Sequence, residues 1–302
     1  MALIPQQYLN SVISIEVEGI DNTGSLKKTS IATGFLVGYP TRESSEGQEL
    51  YRLFIVTNRH VYQNPKTKKY LEEVFFRFNT LENKSHYFKV NLLKDGDCPL
   101  WLKHKDEKVD LAILPINATA IIEAKINYYF FKENDLLYAK NFTANNITTG
   151  DGLFVLGFPK GISGKARNFV IVRQGIIARV DEEVLEEGYF YIDASAYPGN
   201  SGGPVIHKPE MVKIMGTQSN TNAGLMGVIS TGETYSDIAI SQQTGETRII
   251  FTEQIGLVRV VPTELIFEII NELPELQLNE GAQVQDVGFE KTEEKNEAQP
   301  KK

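Results

Sequence analysis

The 302-residue chain has one cysteine, one tryptophan and four histidines. A single thiol, Cys98, cannot close an internal disulfide, which excludes a secreted scaffold held together by them. It lies in the acidic turn Asp95-Gly96-Asp97-Cys98-Pro99, not in the electropositive setting of a reactive thiolate, and is read as incidental. There is no basic surplus. The net charge of −8 argues against a nucleic-acid partner. No window approaches ~18 consecutive apolar residues, so no membrane-spanning helix and no membrane partner is expected. Met1–Asn10 lacks the basic start and apolar stretch of a signal peptide, and the cytoplasm is the expected compartment. No His-Glu-x-x-His or Cys-rich spacing suggests a metal. Gly164-Lys165-Ala166 lacks both the leading glycine, replaced by Pro159, and the Ser/Thr of a phosphate loop. No cofactor is expected. No internal repeat of ~20–50 residues is present.

What the chain does have is apolar content, 41%, at a length of about two domains or one large β-rich unit. Short β-branched or alternating runs recur, among them Ser11–Glu18, Ile31–Val37, Tyr51–Thr57, Val74–Asn79, Gly152–Gly157, Val170–Val180, Val212–Thr217 and Gly224–Ser230. Turns such as Asp95-Gly96 and Glu187-Gly188 separate them. Many short strands without regular helical crossovers predict antiparallel barrels or a sandwich. The period changes at Leu265–Leu273, an amphipathic helix with Thr263 as N-cap and Pro274 as its stop. A short helix is expected at Ala118–Lys125. Apolar residues thin out beyond Gln277, and Gly288–Lys302 reads as disordered. The expected organisation is 1–116, a linker at 117–148, a second unit at 149–275, and a disordered tail at 276–302.

Three segments carry chemistry. An apolar strand ends in Thr57-Asn58-Arg59-His60-Val61, presenting His60. Asp110 opens the apolar run Leu111–Leu114. Ser201 sits in the glycine-rich loop Pro198-Gly199-Asn200-Ser201-Gly202-Gly203-Pro204. Each alone is an ordinary turn or strand end. Together they supply a base, a carboxylate to orient it and a nucleophile, which is what acyl transfer requires. His86, His104 and His207 stand among polar neighbours and read as surface residues.

These segments resemble the triad motifs of chymotrypsin-fold (trypsin-like) serine peptidases, in the bacterial branch of HtrA-type proteases and glutamyl endopeptidases. Thr33-Gly34-Phe35 and Gly150-Asp151-Gly152 through Pro159 resemble supporting segments of that family, and the likeness spans about Ser11 to Asn271. The resemblance implies an all-β fold of two six-stranded antiparallel β-barrels with a C-terminal helix. It implies a serine endopeptidase acting on polypeptide through an acyl-enzyme. His60 would be the base, Asp110 the orienter and Ser201 the nucleophile, with the N–H groups of Gly199 and Ser201 as the oxyanion hole. Asn200 stands where zymogen-type members carry an aspartate, so no switch by a newly cut N-terminus is expected. No PDZ-like segment is expected after residue 275.

By the family pattern the substrate-pocket base falls at Ser195 and one wall at Gly227–Ser230, with Ile229 and Ser230 lining it. Gly216–Ser219 is the alternative wall. The missing pocket acid disfavours an Arg/Lys preference. Ile229, where glutamyl endopeptidases carry histidine, disfavours an acidic one. A small or medium apolar residue is left. Two rival readings are a catalytically silent two-barrel binding module and an esterase using the same triad. Oligomeric state, physiological substrate and activation trigger are not legible.

Overall fold

The computed structural model describes residues 4–21, 23–40, 49–210 and 216–273, and the backbone of 284–288. The first half is built from β1 (Val12–Ile20), β2 (Leu26–Pro40), β3 (Tyr51–Thr57), β4 (Glu73–Asn79), β5 (Ser85–Asn91), β6 (Leu93–Lys94), β7 (Cys98–Pro99), β8 (Leu102–Lys103) and β9 (Ala112–Ile116). The second half contains β10 (Gly152–Gly157), β11 (Ile171–Arg179), β12 (Phe190–Asp193), β13 (Pro204–His207), β14 (Leu225–Ile240) and β15 (Thr247–Pro262).

The second half is a closed six-stranded antiparallel barrel, ordered β10-β11-β12-β15-β14-β13. Period-two apolar residues of these strands turn inward, and Leu153, Val155, Ile177, Ile192, Val205 and Val258 form its core. The first half differs from the expected six-stranded barrel. It is an eight-stranded antiparallel sheet in the order β16-β5-β4-β1-β2-β3-β9-β8, with β16 at Val284–Gly288. No closing ladder joins its ends among the described residues. One end is the two-residue strand β8, while β6 and β7 pair only with each other. The other end is occupied by β16, which runs antiparallel along β5 from Val284 opposite Val90. Residues 284–288 fall within the segment read as disordered. An unpaired strand edge recruits backbone through N–H and C=O groups, and apolar content does not enter that pairing. Gly288 ends this strand, and 289–302 lie outside the described residues.

The helix forms at Glu264–Asn271. Thr263 holds the cap position but makes no side-chain cap; its Oγ1 donates to the Leu225 carbonyl at 3.1 Å instead. Pro274 lies outside the described residues. The short helix is Thr119–Glu123. The expected strand at Val212–Thr217 falls mostly on residues outside the description. Ile266, Ile269 and Ile270 bury the helix face in a cluster that also holds Phe35, Phe54, Val56 and Ile113 from the sheet, and Leu156, Val228 and Val261 from the barrel. This cluster is shared by the two halves, beside the separate core of each, and a cleft lies where their edges meet.

The halves are also tied by polar contacts. Arg77 on β4 is buried; its guanidinium donates to Ser163 Oγ at 2.8 Å and to the Gly164 carbonyl at 2.6 Å. Buried Glu16 approaches the same guanidinium at 3.8 Å. The Asn168 N–H donates to Asn79 Oδ1 at 2.7 Å, and Asn79 Nδ2 returns a bond to the Asn168 carbonyl at 2.8 Å. The loop between β10 and β11 is thus held down on the first sheet. Burial favours such pairing of charge and amide groups.

β14 and β15 run on past the barrel. From Thr234 opposite Gln254 to Ile240 opposite Thr247 they pair only with each other, as a two-stranded ribbon. His86, His104 and His207, expected at the surface, are buried. Each lies on or beside a strand: His207 Nδ1 meets the Asn222 carbonyl at 2.8 Å, and His104 Nε2 meets Glu268 at 3.3 Å. Polar neighbours in sequence point to the opposite face of a strand, so they do not report a residue's own burial.

Candidate active site

β3 ends at Thr57, and the chain turns through Asn58 into one helical turn, Arg59–Tyr62, that carries His60. Asn58 Nδ2 donates to the Asp110 carbonyl at 2.9 Å, joining this turn to the residue that precedes β9. Because β3 and β9 are paired neighbours, Thr57 opposite Ala112, the two strand ends deliver His60 and Asp110 to one place. Asp110 Oδ2 lies 2.6 Å from His60 Nδ1, and Oδ1 accepts the His60 backbone N–H at 3.0 Å. The carboxylate therefore grips the imidazole residue at two points. It fixes the tautomer with the proton on Nδ1 and leaves Nε2 free to accept.

The Ser230 hydroxyl donates to the same Asp110 Oδ2 at 2.7 Å. Burial pushes the Asp110 carboxyl up, but the hydrogen bond from His60, the His60 charge and the Ser230 hydroxyl outweigh it and hold the group below its ordinary value. The residue is kept as an anion facing the imidazole.

Ser201 lines the same cleft, of about 780 Å³, with His60, Asp110, Tyr197, Ile229 and Arg259. Its loop is held from behind by two threonines. Thr33 Oγ1 donates to the Gly199 carbonyl at 2.6 Å, the Thr33 N–H donates to the Ser201 carbonyl at 2.9 Å, and Thr57 Oγ1 donates to the Thr33 carbonyl at 2.8 Å. The Lys160 N–H donates to the Pro198 carbonyl at 2.6 Å. Gly199 and Gly202 take φ of +100° and +81°. At Gly202 a Cβ would meet Thr57 Oγ1 at 2.1 Å and the Thr33 carbonyl at 2.2 Å, so only glycine fits.

The N–H groups of Asn200, Gly202 and Gly203 donate to the carbonyls of Tyr197, Ile229 and Asn200. Those of Gly199 and Ser201 have no acceptor among the described residues. Two free backbone donors beside a serine hydroxyl can receive a developing oxyanion. Among the described residues no hydrogen bond joins Ser201 Oγ to His60. The Asn200 amide is buried with neither Nδ2 nor Oδ1 partnered.

Of the pocket residues, Ile229 and Ser230 line the cleft and Ser195 does not. Ala194 and Ala196 are buried, and the alternation beyond β12 turns Ser195 outward between them. Gly216–Ser219 forms no strand and is not part of the cleft. Ser230 also has a contact that sequence reasoning did not assign, the bond to Asp110. Thr33, read only as part of a matching strand, is the main support of the serine loop. A hydroxyl in the otherwise apolar run Ile31–Val37 was the available signal. Arg259 adds a cation to the cleft: it donates to Glu233 at 2.6 Å and lies 4.5 Å from the Tyr189 ring centroid. No group of three or more His, Cys, Asp or Glu among the described residues could hold a metal, and no helix there is long and apolar enough to cross a membrane.

A family model described as a trypsin-like peptidase domain matches residues 32–211, more than half of the chain. That span includes His60, Asp110 and Ser201 and stops before β14. Among solved structures, the chain is similar to the MamO protease domain from Magnetospirillum magneticum in its apo form, at 14% identity and a TM-score of 0.44, over 89% of this chain and 99% of that one. It is also similar to the Rv3671c protease in an inactive form, at 15% identity and a TM-score of 0.40, over 88% and 89% of the two chains. No match was found among curated proteins.

Proposed function

The chain belongs to the trypsin-like peptidase domain family, and on that premise we propose that it is a serine endopeptidase using His60, Asp110 and Ser201. Membership makes polypeptide the substrate class. The observation that carries the reading is the His60 imidazole, with Nδ1 facing Asp110 Oδ2 at 2.6 Å, opening on the cleft that Ser201 lines.

In this reading His60 Nε2 takes the Ser201 hydroxyl proton as Oγ bonds to the carbonyl carbon of the scissile peptide. The carbonyl oxygen becomes an oxyanion between the Gly199 and Ser201 N–H groups. Asp110 stays ionised and stabilises the imidazolium. The imidazolium then gives its proton to the leaving amine as the C–N bond breaks, leaving the acyl group on Oγ. Water, deprotonated by His60, releases it in the mirror sequence. Ile229, Val261 and Ala196 give the cleft an apolar floor, which supports a small or medium apolar side chain beside the scissile bond.

The unmade Ser201–His60 hydrogen bond favours a second reading, a silent binding module. Such bonds are often loose before substrate arrives and tighten on binding. Labelling by a fluorophosphonate probe, followed by casein cleavage, tests the proposal. The intact chain is expected to label and cleave, and Ser201→Ala to do neither while unfolding at an unchanged temperature. Absence of labelling in the intact chain would favour the silent module. Labelling without casein cleavage would favour an esterase.

A further inference from the structure

The ribbon formed by the outer parts of β14 and β15 has no third strand, and an isolated two-stranded ribbon is at best marginally stable in water. It nevertheless carries Tyr235, Ile238, Ile240, Ile249, Ile250, Phe251 and Ile255, every one more than half exposed. Register sorts its faces. Tyr235 lies opposite Glu253, Asp237 opposite Phe251 and Ala239 opposite Ile249, so one face is apolar with two carboxylates. Ser236 lies opposite Thr252 and Ile238 opposite Ile250, so these pairs give the other face two hydroxyls and two isoleucines and no charge.

The complement of the acidic face lies in the same molecule. Residues 160–176 carry Lys160, Lys165, Arg167 and Arg173 and no acid, within a chain of net charge −8. The same segment exposes Ile162, Phe169, Val172 and Ile176. Arg167 stacks on Phe169 at 4.8 Å, and Arg173 and Lys160 stack on Tyr197, so these cations sit directly among apolar side chains.

We propose that the chain self-associates as a two-fold dimer in which each ribbon lies with its acidic face on the 160–176 segment of a second copy. The uncharged faces of the two ribbons meet at the axis. A two-fold arrangement makes both contacts at once, because residue i meets j and j meets i. Five isoleucines and two aromatics at this exposure present on the order of 600 Å² per ribbon. Doubled, and matched by the opposing segment, that approaches the ~1,600 Å² of a standard interface.

Sedimentation velocity over two decades of concentration tests this, with charge reversal as the control. The wild-type chain is expected to sediment as a dimer that salt weakens. Asp237→Lys/Glu253→Lys, with a basic ribbon, and Lys165→Glu/Arg167→Glu/Arg173→Glu, with an acidic segment, are each expected to be monomers of native circular dichroism. An equimolar mixture of the two restores both opposite-charge contacts and is expected to form a heterodimer. A wild-type chain that stays monomeric throughout overturns the proposal. So do reversed variants that dimerise as the wild type does, or a mixture that fails to pair.

Discussion

Ser230 and Asp110 are 120 residues apart in sequence and share a 2.7 Å hydrogen bond made to the carboxylate oxygen that also faces His60. The barrel thus reaches across the cleft and holds the acid that the first sheet supplies. A hydrogen bond to a charged group contributes ~1.5–3 kcal/mol. Ser230→Ala should therefore lower kcat/KM by about tenfold or more while labelling of Ser201 still runs to completion. Unchanged kinetics would show that His60 and Asp110 hold each other without it.

The depressed Asp110 carboxyl has a sign in stability. Folded Asp110 binds its proton less readily than the unfolded chain does. As pH falls, the unfolded state takes up that proton first. The contribution is fully present above the unfolded carboxyl value near ~4 and is lost as pH falls through the lower folded value. Melting temperatures of the wild type and of Asp110→Asn between neutral and acid pH should show a shallower acid decline in the variant. Parallel curves would mean that the group is not depressed.

Gly202→Ala tests the serine loop. The new Cβ would need positive φ and the space already taken by Thr57 Oγ1 and the Thr33 carbonyl. The expected loss is ~3 kcal/mol or more in chemical denaturation. Probe labelling should be lost even where the variant stays folded, because the Ser201 N–H is displaced with the loop. A variant that labels normally would show that the turn can rearrange.

Arg77→Met would leave Glu16 buried beside an apolar chain and release Ser163 and Gly164. Removing one member of such a pair typically costs ~3–5 kcal/mol. Adding Glu16→Gln should recover part of the loss, since a buried negative charge goes with it. A double variant no better than the single would place the cost in the loop contacts instead.

Much of this architecture was written locally. Residues 51–57 and 152–157 are short continuous apolar runs, buried along nearly their whole length, which marks them as strands, and the loop from Pro198 to Pro204 is legible because glycines there have no substitute. His60, Asp110 and Ser201 could be named because each is a chemical group at a strand end. The relations that sequence did not disclose depend on pairing between distant strands. Ser230 looks like one more wall residue until β14 is laid beside the first sheet. Whether the first sheet closes depends on edges as short as β8, and two residues leave almost no pattern. The ribbon was missed because Gly232–Gln254 mixes polar and apolar residues on both faces, and no buried side imposes a clean alternation.

The closing strand β15 comes last in the barrel, joining β12 through Phe190 and Val260 and β14 through Val228 and Val261. Chain order therefore becomes a timetable. On a ribosome, His60 and Asp110 emerge early, and Ser201 follows on a sheet still open along two edges. A nascent chain that has not yet released residues up to Pro262 has no closed barrel, no seat for the helix at Glu264–Asn271 and no fixed Ser230 beside Asp110. The cleft is completed only when the chain up to the helix is available to fold, so a half-made molecule has no assembled cleft.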